Sequence, residues 1–134
     1  MPNDDKGWVE EVQKSLREGL SDDTVVLFIP SHDKKGDAIS DQEIWAHEAA
    51  EIFAKLFGGA TGFTQLIGTW FDSKTKKVHK DRPIMIQTLT KRANTADEAK
   101  LIRFFAFCRR MGNATKQACV GFSINDVFYE MYDF

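Results

Sequence analysis

Thr24-Val25-Val26-Leu27-Phe28-Ile29-Pro30 is the stretch that decides the fold. Large apolar side chains occupy both parities of the run, so it reads as a strand covered on both faces, the signature of a central strand. On its C-terminal side lies a polar loop, residues 31–40, around Gly36. A helical pattern follows, with Ile44, Trp45, Ala49, Ile52, Phe53 and Leu56 forming one wide apolar face. Ser40 and Glu43 have capping-box spacing at its start, and Gly58-Gly59 supplies a left-handed stop.

Further along, residues 61–72 and 78–90 read as two strands joined by the polar tip Ser73-Lys74-Thr75-Lys76-Lys77. A connection this short makes them an antiparallel hairpin. A second capping box, Thr95 to Glu98, opens another helix carrying Leu101, Ile102, Phe104, Phe105 and Cys108, which stops near Gly112. A last strand spans 118–124, with Val120, Phe122 and Ile124 on one parity. Asn125-Asp126 can turn the chain into a short edge strand at 127–132. Upstream of the opening strand, Trp8, Val9, Val12 and Leu16 recur at helical spacing over 5–19.

Without that first helix, the order is strand, helix, strand, strand, helix, strand. This is the split arrangement of an α+β, ferredoxin-like βαββαβ fold: a four-stranded antiparallel sheet with both helices on one face. Residues 1–22 then form an N-terminal helical extension and 23–134 the domain. Taking Ile84, Ile86, Val120 and Phe122 as core leaves Met85, Gln87, Leu89 and the second parity of the first strand on the opposite face. A face so apolar needs a cover. Either the N-terminal helix supplies it through Trp8 and Val12, or a second subunit does, and a homodimer is the expectation.

Composition narrows the function classes. With 134 residues, 43% hydrophobic and 28% charged, the chain is one globular domain rather than a disordered segment. Eighteen Lys and Arg against 20 Asp and Glu give a net charge of −2, which provides no bulk field for nucleic acid. Cys108 and Cys119 match neither a zinc pattern nor a disulfide framework, and no cofactor motif stands out. No apolar run approaches the roughly 20 residues that cross a bilayer, and MPNDDKGW lacks the basic and apolar regions of a signal peptide. The expectation is a cytoplasmic protein.

Several short motifs carry a resemblance. Ile39-Ser40-Asp41-Gln42-Glu43-Ile44-Trp45, then Phe57-Gly58-Gly59-Ala60-Thr61-Gly62, then Ile67-Gly68-Thr69-Trp70-Phe71, with Asp81 and Gln117 beyond them, resemble a family of small uncharacterised bacterial proteins. The similarity covers residues 28–124. It implies the ferredoxin-like fold and brings no settled activity; Asp81 stands where that family usually has glutamate.

The candidate chemistry is sparse. His32 follows the first strand beside Ser31 and Asp33, where a neutral imidazole could serve as a base. The competing reading is a surface histidine in a polar loop. His79 and Asp81 lie two apart on one side of a strand, suited to an oriented base or to a solvated edge. Thr61, Thr64, Gln65, Thr69, Trp70 and Gln87 are the hairpin residues that could line a small-ligand pocket. Phe107, off the apolar stripe and between arginines, reads with Arg110 as part of an interface. The leading expectation is a non-catalytic module that self-associates through its open face and binds a small ligand or protein partner. The alternative is a small dimeric α+β barrel enzyme using His32 or His79 with Asp81 for acid–base chemistry. A third reading, nucleic-acid binding through the arginine-bearing second helix, lacks the aromatic sheet motif of RNA-binding ferredoxin-like domains.

Overall fold

A computed structural model describes residues 2–16, 19 and 21–134, with the side chains of residues 2–6 and 8 outside that description. β1, Asp23–Ile29, sits in the middle of a five-stranded sheet and alternates buried and half-buried residues along its length. Val25, Leu27 and Ile29 are wholly buried, while Thr24, Val26 and Phe28 are half-covered. The expected full burial on both faces is thus found on one only, and among the described residues α2 and α4 pack against that one.

The strands around it are β2 (Thr61–Phe63), β5 (Ile84–Thr90), β6 (Val120–Ile124) and β7 (Val127–Met131), in the order β2-β5-β1-β6-β7. Every neighbouring pair is antiparallel. The sheet therefore has five strands, not four. The addition is β7, returned beside β6 by Asn125 and Asp126, both with positive φ. Left-handed backbone at both central residues matches the twist of a tight hairpin, and Asn and Asp tolerate it.

The helices α2 (Gln42–Phe57) and α4 (Glu98–Ala114) fill the buried face. Phe53 of α2, Phe104 of α4 and Phe122 of β6 meet edge-on, with ring centroids 5.5 and 5.2 Å apart. Phe107 belongs to this core, only 2% exposed and tilted against Trp45. That overturns its assignment to an interface: one residue off the expected stripe still points inward where α4 crosses α2. Arg110 is the exposed partner, its guanidinium over the Trp45 and Phe107 rings and paired with Glu48. Ile44 and Ile102, expected on apolar faces, are exposed.

Helix ends also differ from expectation. Asp41, not Ser40, is the N-cap of α2, and its carboxylate accepts from Trp45 Nε1 at 3.0 Å rather than from a backbone amide. A short helix, α3 (Arg92–Thr95), precedes α4, and Asp97 caps α4 by accepting from the Lys100 amide. Thr95 is engaged elsewhere, donating to the carboxylate of buried Asp23. Gly112 lies inside α4 instead of ending it, since the Phe134 ring occupies the space a Cβ would need.

The N-terminal helix, α1, runs Pro2–Ser15 rather than 5–19. Val9, Val12 and Leu16 are exposed, so these residues do not cover the open sheet face. Trp8, expected at an interface, lies outside the described side chains. Among the described residues no helix is long and apolar enough to cross a membrane.

The long hairpin is broken in two. β2 pairs with β5 in the main sheet, whereas β3 (Gly68–Asp72) and β4 (Lys77–Asp81) pair only with each other as a two-stranded arm. Gln65, with φ of 60°, turns the chain between β2 and β3. Pro83, which has no N–H to give a ladder, separates β4 from β5.

Candidate functional site

Pro30 ends β1, and the chain leaves the sheet at Ser31 and His32 opposite the base of the arm. Asp81, the last residue of β4, meets them there. One carboxylate oxygen, Oδ1, accepts from the Ser31 amide at 2.9 Å, the Arg82 amide at 2.9 Å, and the Ser31 hydroxyl. The same hydroxyl oxygen accepts from the Arg82 amide at 2.9 Å and lies 2.7 Å from His32 Nδ1. A serine hydroxyl has one proton to give and two lone pairs to fill. With its proton on Asp81, it must accept from His32 Nδ1–H. In the neutral imidazole that assignment places the ring's free lone pair on Nε2.

Two glutamines hold this arrangement. Gln117 Nε2 donates to the His32 carbonyl at 2.9 Å and the Thr115 carbonyl at 3.1 Å, fixing the start of the 31–39 loop. Gln42 Nε2 donates to the Ile29 carbonyl at 3.2 Å and the Arg82 carbonyl at 2.9 Å, tying the end of β1 to the segment between β4 and β5. An open cleft of about 270 Å³ adjoins the cluster, lined by His32, Ile67, Thr69, Lys80, Asp81 and Arg82. It offers an imidazole, a carboxylate, two cations and an apolar wall. Among the described residues, no three His, Cys, Asp or Glu side chains are grouped as a metal ion would need.

The structure joins His32 to Asp81 and places His79 differently. The His79 ring stacks on Trp70 at 4.3 Å and 19°, and its Nε2 is 3.6 Å from Asp72 Oδ2, beyond hydrogen-bond reach. The amides of Lys74 and Thr75 hold the Asp72 carboxyl below the usual carboxylate range. Trp70 remains 57% exposed. The expected pocket residues do not converge. Thr61 and Gln87 face each other across β2 and β5, Thr64 and Gln65 lie in the following loop, and Trp70 is on the arm. Of the hairpin residues named from sequence, Thr69 lines the cleft. Ser31 and Gln42 were missed, because nothing local marks a serine or a helix-start glutamine whose partners lie tens of residues away. Gln117 stood out only through the resemblance.

A comparison with protein-family models gives no match, and neither does one with curated proteins. Two solved structures share the fold. One, a phage SAM lyase in complex with S-methyl-5'-thioadenosine, superposes with a TM-score of 0.60 at 11% identity, covering 87% of this chain and 94% of that one. A phage SAM lyase in the apo state gives 0.56 at 17% identity with the same coverage. Both are structures of an enzyme. That finding runs against the expectation of a non-catalytic binding and assembly module.

Proposed function

We propose that this chain is a small α+β enzyme that cleaves a carbon–sulfur bond in an adenosyl sulfonium of the S-adenosylmethionine class, using His32 and Asp81. The observation that carries the reading is the hydrogen-bond relay from His32 Nδ1 through the Ser31 hydroxyl to Asp81 at the edge of the cleft. The likeness to a SAM lyase supplies the substrate class. In finer terms, residues 23–134 are a ferredoxin-like domain that works in the cytoplasm as a dimer, with 1–22 as an extension.

The roles follow from the charges. Lys80 and Arg82 suit the substrate carboxylate, and Ile67 and Thr69 line the cleft beside them for the uncharged part of the substrate. When the C–S bond breaks, its electron pair goes to sulfur and the sulfonium charge disappears. A transition state losing charge gains from an apolar wall, of which Ile67 is the residue in the cleft, more than from a nearby carboxylate. Asp81 therefore acts through His32. His32 Nε2 takes the proton from the carbon next to the one bearing sulfur, and the C–H pair becomes the new C=C bond.

The test is turnover of S-adenosylmethionine followed as thioadenosine release, with His32→Gln and Asp81→Asn variants. Loss of about 10²–10⁴-fold in kcat for His32→Gln supports a proton acceptor. Full turnover by that variant rejects the base and favours internal displacement by the substrate's own carboxylate, which needs none.

A further inference from the structure

We infer that the β3–β4 arm docks on the open sheet face of a second copy of this chain, and that the docked copy walls the cleft. This rests on the proposed function for the cleft's purpose, and on surface chemistry alone for the docking.

The arm is apolar on both sides. Trp70 lies on one ribbon face, Phe71 and Val78 face each other on the opposite one, and Ile67 precedes them at the base. Their exposures are 57%, 58%, 61% and 78%. A two-stranded ribbon alone is marginal in water and needs cover for such side chains.

The receiving surface is the face of the sheet away from α2 and α4. By register, Phe28, Met85 and Phe63 sit side by side across β1, β5 and β2. Phe128 meets Phe28 edge-on at 6.4 Å, and Leu89, two residues from Gln87 on the same parity, extends the band. The described apolar residues of α1 leave this face uncovered.

Charge decides the occupant. Residues 72–82 carry Lys74, Lys76, Lys77, Lys80 and Arg82 in a chain whose net charge is −2. The two carboxylates in that segment are already engaged, Asp72 by the turn amides and Asp81 by Ser31. The strand positions of the open face hold Glu130 and no lysine or arginine. A basic, apolar arm and an apolar face whose one charged strand residue is Glu130, itself accepting from the Tyr132 hydroxyl, complement each other between copies. Position then links docking to the cleft. Thr69 and Lys80, which line it, are directly paired on the ribbon face that carries Phe71 and Val78. A copy seated on Phe71 and Val78 abuts the cleft and closes its open side.

The experiment measures mass in solution by light scattering after size exclusion, without substrate, so its result is independent of any turnover. The wild-type chain should be oligomeric at micromolar concentration. Phe71→Ser with Val78→Ser should raise the dissociation constant about tenfold or more, while circular dichroism shows the main sheet and helices intact. Lys76→Glu with Lys77→Glu should weaken association, and adding Glu130→Lys should restore it. A wild-type monomer at high micromolar concentration overturns the inference. So does an oligomer indifferent to the arm variants, or a monomer whose arm instead retards single-stranded RNA in a salt-sensitive way.

Discussion

Replacing Ser31 with alanine removes one oxygen that joins three groups, and the consequences can be worked from the distances. His32 Nδ1 loses its 2.7 Å partner, and Asp81 keeps the Ser31 and Arg82 amides, each at 2.9 Å. The Arg82 amide likewise keeps Asp81. The imidazole is the group left without a partner, since Asp81 Oδ1 is 3.7 Å away and too far to substitute without movement. Net hydrogen bonds are worth about 1 kcal/mol each, so Ser31→Ala should cost about 1–2 kcal/mol of stability. For a chain of this size that is a fall of about 3–8 °C in Tm. The larger effect is on chemistry. An imidazole no longer held in one tautomer should lose about 10–100-fold in kcat, with KM within about twofold because substrate contacts are untouched. Ser31→Thr keeps the hydroxyl and should restore most of the rate. Stopped assays of thioadenosine release, paired with thermal melts, read both quantities. A variant that melts lower yet turns over at the wild-type rate refutes the relay.

Three further outcomes follow from the same structure. Gly112→Ala should push the exposed C-terminal Phe134 ring aside and leave α4 intact, and because Ala favours a helix interior over Gly by about 1 kcal/mol the net change in a denaturant titration should stay within about 1 kcal/mol. Phe107→Ala should cost about 3–5 kcal/mol, as a core truncation does, whereas an interface residue would change solution mass with little effect on Tm. Asp23 is held below the usual carboxylate range first by the Thr95 hydroxyl and then by Arg92. Its depressed value means the unfolded chain binds that proton more tightly, so the stability it provides is complete above the ordinary carboxylate pKa and is lost as pH falls through the acid range. The Tm difference between wild type and Asp23→Asn should therefore shrink between neutral pH and pH of about 3.

Much of the fold was legible because it rests on local periodicity. The parity of Ile84 and Ile86, the stop at Gly58 and the turn at Asn125-Asp126 are each fixed by neighbouring residues, and the structure follows them. The division of the hairpin was harder to see. A sequence rich in β-branched and aromatic residues through Trp70 and Phe71 looks continuous, and only the backbone at Gln65 and Pro83 shows that the arm leaves the sheet. Phe107 misled for a related reason, since its neighbours in sequence are arginines while its neighbours in space are Trp45 and the core. Of the candidate site, His32 and Asp81 stood out by residue type. Their connection did not, because it passes through a serine 50 residues from the aspartate and depends on Gln42 in α2 and Gln117 in the loop before β6.

The central claim is best tested by incubating the purified chain with S-adenosylmethionine and following S-methyl-5'-thioadenosine by chromatography. The account predicts release by the wild-type chain and a drop of at least about 10²-fold for Asp81→Asn, with the variant's fold intact by circular dichroism. A folded wild-type chain that neither binds nor cleaves the sulfonium contradicts it.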